Sequence, residues 1–376
     1  MSTPGTVLVI GGGAAGNAAT ILLRRAGVAV DLIEAKDDWN ATAGSGITLQ
    51  GNALRVLREL GVWDQVEKSG YGFGAVGITA PDGTVLHVAE DLRTGGDELP
   101  ATVGMQRPQL QSILIDAVRA SGATVRLGVR AEAIEQDAGG VTVRLTDGST
   151  HRYDLVIAAD GLGSATRAAI GIQDRPEPTG MAIWRVAAPR PEGLTRTDLA
   201  YGGPAYIAGY CPTSESTIYA YVVEASRDRA TIPADSYADE MRRLASAYGG
   251  HWPEITAHIT DPAQVNYTWF DRMLVEGSWH RGRVVLVGDA AHCCPPTLAQ
   301  GAALSLEDAW VLTQMLTASD TWDDALLQAY YERRITRVRP IVEASVQLGQ
   351  WQLDGVRDAD VPGLMGRTMT MLRELP

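Results

Sequence analysis

Three stretches of the chain hold residues whose types and spacing could do chemistry. In "LVGDAAHCCPPTLAQGAALSLEDA" (286–309) an apolar run ends in Gly288-Asp289 and passes His292, Cys293 and Cys294. It then crosses two prolines and opens into a helical segment of small residues. A metal site, a redox-active thiol pair and a backbone cradle for a group the chain does not make itself compete for it. The cysteines lack C-x-x-C spacing, and a vicinal disulfide is strained. His292, Cys293 and Cys294 in direct succession cannot easily aim three side chains at one ion, and no second His/Cys cluster completes a site. No metal is therefore expected. The cysteines read as small packing residues and His292 as a structural hydrogen-bonding residue. The cradle is favoured.

The second stretch, "TVLVIGGGAAGNAATILLRRAGVAVDLIEA" (6–35), reads as strand, glycine turn, helix, strand. Val7 to Ile10 form the continuous apolar run of a parallel strand buried on both faces. Gly11, Gly13 and Gly16 fall on G-x-G-x-x-G spacing. The first permits a tight turn, the second lets a pyrophosphate approach the backbone, and the third lets helix and strand pack closely. Ala14 and Ala15 open the helix, whose N-terminal N–H groups and partial positive charge suit phosphates. Glu34, followed by Ala35, ends the next strand 18 positions past Gly16. An acceptor for ribose hydroxyls is needed there, and a carboxylate favours FAD or NAD over NADP.

A third stretch, "DLVIAADGLGSATR" (154–167), ends a buried run in Asp160-Gly161 and continues to Ser164 and Arg167. A strand leading to a Ser-capped helix without ligand is the plain alternative. Together with the opening stretch it resembles the class A flavoprotein monooxygenases, the FAD-dependent aromatic hydroxylases of the p-hydroxybenzoate, salicylate and urate hydroxylase type. Asp160, Gly161, Ser164 and Arg167 match that family's D-G-x-x-S-x-x-R motif. Residues 282–309 are similar to its third motif at Gly288, Asp289, Ala290, Ala291, His292, Pro295, Gln300, Gly301 and Asp308. Ala299 stands where the family often has Gly, and Ala303 where it often has Asn.

The resemblance implies that Asp289 bonds a ribityl hydroxyl of FAD and that Arg107, ahead of a helix, touches the cofactor. It also implies that the helix starting near Gln300 aims its N-terminus at the flavin pyrimidine edge. The physics stands apart from the family: reduced flavin carries negative charge on that edge, which exposed N–H groups and a helix dipole stabilise. Gly301 and Ala302 are small enough for a planar ring to lie against backbone. Residues 37–50 read as a Gly/Ser/Thr-rich loop whose Gly44, Ser45 and Gly46 permit close passage along the flavin, a plain flexible loop being the alternative.

The elements that must position these residues form an α/β fold: a Rossmann-like FAD-binding domain, an interleaved β-sheet substrate domain and C-terminal helices. The expected division assigns 1–74, 101–177 and 276–376 to the cofactor, and 75–100 and 178–275 to the substrate sheet. Helices are expected at 51–62 and 107–122, and a hairpin at 76–88 turning at Asp82-Gly83. Strands are expected at 180–189, 204–212 and 217–225. The chain should be helical after Asp308, kinked or split at Pro340. In the sheet, Arg185 is the candidate for an anionic substrate group, because guanidinium reads carboxylate or enolate bidentately; a solvent-facing arginine is the alternative. Tyr210 and Tyr219 are candidates to orient a phenol-like substrate, or ordinary sheet residues. Pro295 is a further pocket candidate.

Bulk numbers narrow the function class. The 376 residues, 45% hydrophobic and 20% charged, suit a soluble globular protein with ample core. A formal net charge of −13 argues against nucleic acid. The start "MSTPG" shows no basic signal segment, no run is apolar enough for a membrane span, and three cysteines make no disulfide framework. A cytoplasmic monomer or homodimer is the expectation.

What the resemblance implies for activity is a single-component monooxygenase. NAD(P)H reduces FAD transiently, O2 adds, and a 4a-hydroperoxyflavin transfers oxygen to an electron-rich aromatic or heteroaromatic small molecule. A flavin-dependent reductase or epoxidase of a lipid or polyketide-like substrate is one alternative, and a non-enzymatic FAD/NAD sensor another. A flavin-dependent halogenase would need W-x-W-x-I-P, and none of the nine tryptophans has another two positions away.

Overall fold

The computed structural model describes residues 5–41 and 45–376. Gly44 and the first four residues, on which the reading of the N-terminal start rests, lie outside the described residues.

The apolar runs read from the sequence become the centre of a six-stranded sheet. Its order is His280–Arg281, Val284–Leu286, Leu155–Ala158, Thr6–Ile10, Ala29–Glu34, Thr124–Leu127. All neighbours are parallel except the edge pair His280–Arg281 and Val284–Leu286. Val7, Leu8, Val9, Leu155, Val156, Ile157 and Ala158 are all inaccessible to solvent, as both covered faces of a parallel sheet require. Three chemistry-bearing stretches are therefore neighbours: 6–10, 155–158 and 284–286 lie side by side, so the turns that follow them emerge at one sheet end.

A second, eight-stranded sheet runs His292–Cys293, Asn266–Leu274, Glu177–Pro189, Thr217–Ala225, Ile207–Pro212, Thr197–Tyr201, Ala75–Thr79, Val85–Glu90. One face packs on the helices Tyr237–Ala245 and Trp252–Ala257, through Trp184, Tyr210, Val222, Met241 and Trp252. Those two helices had no counterpart in the reading of 178–275. Two smaller sheets complete the fold: Thr150–Tyr153, Gly140–Leu145, Ala131–Asp137, and Gly46–Gln50, Thr102–Gln106, Tyr71–Phe73.

One expectation needs correction, and one of two alternatives at Pro340 is removed. The supposed loop 37–50 contains a strand, Gly46–Gln50, antiparallel to Thr102–Gln106. Gly46 is small because Tyr219 packs where a side chain would stand, not only because a ligand passes. The C-terminal segment is not split at Pro340. One helix, Asp324–Leu353, continues through it, followed by Val361–Met371. Among the described residues no helix is long and apolar enough to cross a membrane.

Candidate active site

The glycine turn after Thr6–Ile10 divides its labour as the spacing predicts. Gly11 has φ +106°, and a side chain there would strike the carbonyl of Ala159. A side chain at Gly16 would strike the carbonyl of Gly11. Gly13 differs: nothing lies within 4 Å of where its Cβ would be, and it lines a cavity of about 420 Å³. The helix Ala14–Arg25 begins there without a side-chain cap. Its first N–H groups are left for a ligand or water.

Residues far apart in sequence hold this turn. Glu34 accepts from Gly12 N at 2.8 Å and from Lys36 N at 2.9 Å. The Gly12 carbonyl accepts from Asn17 Nδ2, Trp39 Nε1 and Gln111 Nε2 at 3.0, 2.9 and 2.7 Å. Asn17, Trp39 and Gln111 were not singled out from the sequence, and no local pattern marks them. Glu34 and Ala35 do not line the cavity, but each Glu34 oxygen keeps a lone pair for a ribose hydroxyl.

The Asp160 segment is a clasp. Asp160 accepts from Ser164 Oγ at 2.5 Å and Thr166 N at 3.0 Å, and Ser164 caps the helix Ala165–Ala169 by accepting from Arg167 N. Buried Arg167 donates to the carbonyls of Asp174, Ala290 and Leu162 at 2.9–3.0 Å. It thereby ties this loop to the turn at Gly288–Ala290. Of the motif, only Gly161 reaches the cavity wall; φ is +78° and nothing stands within 4 Å of its Cβ position.

The third segment rests on a buried charge network. Asp308, fully buried, accepts from Gly288 N at 2.8 Å and Arg334 Nε at 2.6 Å, and His292 Nε2 lies 2.6 Å away. Arg334 and Arg337 both pair with buried Glu307. Burial alone would raise the Asp308 carboxyl, but His292 and Arg334 outweigh it and hold it below the usual carboxylate range. His292 is thus structural, and Gly288 (φ +59°) is fixed so that Asp289 opens onto the cavity. Enclosure pushes the Asp289 carboxyl up, against the pull of His292 and Arg107.

Beyond the 3-10 turn Pro296–Leu298 the chain takes the left-handed conformation at Ala299 (φ 52°, ψ 32°) and starts the 18-residue helix Gly301–Ala318. Buried Gln300 bonds Gln50 and Asn52, and Asn52 also donates to Glu307 at 3.0 Å. This places Gly301, Ala302 and Ser305 in the cavity wall. The position of Ala299 explains the family's preference for Gly. A β-carbon in this region costs about 1–2 kcal/mol, part of which is regained through the stiffer unfolded chain. Ala299→Gly is therefore expected to stabilise the protein by about 1 kcal/mol, read as a higher urea midpoint; an unchanged or lower midpoint would refute the strain.

Cys293 and Cys294 are thiols rather than thiolates. Both line the cavity and are free. Burial pushes Cys294 up to about 12 and Cys293 higher still. Among the described residues no group of three or more His, Cys, Asp and Glu could hold a metal ion.

The inner face of the eight-stranded sheet roofs the cavity. Arg185, Tyr219 and Tyr221 line it, and Arg107 faces them from below. Arg185 neighbours the Tyr219 hydroxyl in the roof and repels Arg107 across the cavity. Enclosure and the neighbouring Arg185 lower the Arg107 guanidinium. Burial raises both phenols, so they remain protonated donors. Two candidates fail. Tyr210 pairs with Ala220, on the opposite face from Tyr219. It packs against Trp252 and His251 with its hydroxyl 3.4 Å from Asp198. Pro295 is buried behind the wall, and it is Pro296 that lines the cavity.

The cavity fits a dinucleotide-linked planar ring. Gly13, Gly161 and Gly301, one from each segment, leave open the space a side chain would fill, and two uncapped helix starts border it. Residues 5–345 match the family model described as an FAD binding domain. The chain is 32% identical over 373 residues to a Bacillus subtilis protein provisionally named FAD-dependent monooxygenase YetM, covering 98% of this chain and 99% of that one. It is 30% identical to the 2-heptyl-3-hydroxy-4(1H)-quinolone synthase of Pseudomonas aeruginosa, over 92% of this chain and 90% of that one. It also superposes on Klebsiella pneumoniae HpxO complexed with FAD and uric acid with a TM-score of 0.83 and 25% identity, over 98% of this chain and 92% of HpxO.

Proposed function

The chain belongs to the class A FAD-dependent aromatic hydroxylases, and on that premise we propose that it hydroxylates a planar nitrogen heterocycle bearing an acidic or enolisable oxygen. The observation that carries this is a single cavity with open glycine positions on its floor and the guanidinium of Arg185 on its roof. Two relatives support the ring class: one is named for a quinolone, the other binds uric acid. Both are oxygen-bearing nitrogen heterocycles.

Residues 1–74, 101–177 and 276–376 would hold the cofactor, and 75–100 with 178–275 would roof the substrate. Gly13, Ala14 and Ala15 would carry the pyrophosphate on a turn that Gly11 and Gly16 shape, Glu34 would hold the ribose and Asp289 the ribityl chain. Gly161, Gly301 and Ala302 would flank the ring. FAD, when bound, supplies acceptance of electrons from NAD(P)H and delivery of one atom of O2 to the ring. The chain's own part is orientation, water exclusion and charge. Arg185 holds the substrate oxygen by charge-assisted bonds, and the phenol of Tyr219 donates to a ring substituent. The N-terminus of Gly301–Ala318 stabilises negative charge at the cofactor edge, and the roof keeps water out. No side chain serves as nucleophile. The enzyme works in the cytoplasm as a monomer or homodimer.

The test is NAD(P)H oxidation and O2 uptake by the FAD-loaded protein with a panel of hydroxyquinolines, hydroxypyridines and purines. One ring should accelerate both and return one oxygen atom heavier. Oxidation indifferent to every ring, or return of unaltered ring, contradicts the proposal. Arg185→Ala should weaken binding of that ring 10- to 100-fold, as for loss of a hydrogen bond to a charged group, about 1.5–3 kcal/mol. FAD affinity should not change. Undiminished ring binding removes Arg185 from the account.

A further inference from the structure

The roof changes character along its strands. Side chains on one sheet face recur every second residue, so paired positions form rows across the strands. In one row Tyr221 lies between Arg185 and Gly209. In the next, two residues on and roughly 7 Å away, Val223 lies between Ile183 and Ile207. Exposed Tyr201, paired with Ile207, ends that row. Ile183, Ile207 and Val223 form one buried cluster with Phe270 and Met181. All but Met181 line the cavity.

A ring held at the Arg185 row satisfies the polar row and leaves the aliphatic row facing open cavity. Apolar wall without an apolar occupant forgoes both burial and dispersion contacts. We infer that the substrate carries an aliphatic substituent of several carbons, which runs from the ring at Arg185 across Ile183, Ile207 and Val223 toward Phe270. This rests on the reading that a planar heterocycle occupies the Arg185 row. It adds to that reading the substituent that selects among heterocycles.

The experiment is calorimetric titration of the FAD-loaded protein with 4-hydroxyquinolines bearing hydrogen, methyl, butyl or heptyl at C2, with product formation followed in parallel. Kd should fall about three- to fourfold for each buried methylene. Val223→Asn should flatten that slope, and Ile207→Ala, a milder change, should reduce it. A Kd that does not improve with chain length overturns the proposal, including the case in which no member binds, whether or not the parent ring is hydroxylated. Binding that tightens with chain length while no homologue gains oxygen leaves the trough standing and removes the hydroxylation reading instead.

Discussion

Asp308→Ala is expected to destabilise the protein by about 3–5 kcal/mol, the range for breaking a buried ion pair on one side. The substitution leaves Arg334 fully buried with Glu307 as its remaining ion partner, at 3.2 Å. It also strips the acceptor from Gly288 N and from His292. Against a total stability of about 5–15 kcal/mol, the loss should appear as a much lower urea midpoint and weaker FAD retention, because Gly288 sets Asp289. A midpoint within about 1 kcal/mol of the parent would show that the network is not what holds this turn. The pH sign follows from the same pairings. The folded carboxyl titrates below its ordinary value, so its contribution is complete above about pH 4 and is lost as pH falls through the folded value.

Gly13→Val is expected to abolish flavin uptake while leaving the fold intact. The backbone at Gly13 is extended (φ −83°, ψ −169°), a conformation any residue adopts. Nothing lies within 4 Å of its Cβ position. The side chain would therefore project into the cavity and meet only the ligand. Gly16→Ala is the contrast: its methyl would run into the Gly11 carbonyl, so overpacking of about 1–3 kcal/mol should lower the unfolding midpoint as well. Comparing FAD affinity with the urea midpoint for both variants separates a ligand-facing glycine from a packing one. Normal flavin uptake by Gly13→Val would place the pyrophosphate elsewhere.

What the sequence reveals here is local, and what it hides depends on register. The strand-turn-helix at 6–25 was legible because burial on both faces, glycine spacing and the terminal acid are written within 30 residues. The support of Gly12 by Asn17, Trp39 and Gln111 was not legible, since it exists only once three elements meet. Tyr210 and Tyr219 each sit on a readable strand, yet their relative faces depend on the pairing Tyr210 with Ala220. A shift of one residue would have reversed the answer. Pro295 and Pro296 show the same sensitivity within a turn. The motif at Asp160 was legible as a pattern, but which of its groups face the cavity was not. Its aspartate, serine and arginine bond one another and nearby backbone, so that only Gly161 faces the cavity. Ala299 stands where the family often has glycine and adopts the left-handed backbone that glycine favours.

The measurement that bears most directly on the whole account is calorimetric titration of flavin-free protein with FAD. Convergence of the turns at Gly13, Gly161 and Gly301 on one cofactor predicts a single saturable site, one FAD per chain, and a yellow protein that keeps its flavin through gel filtration. Absence of binding heat at excess FAD, from protein shown to be folded, would contradict it.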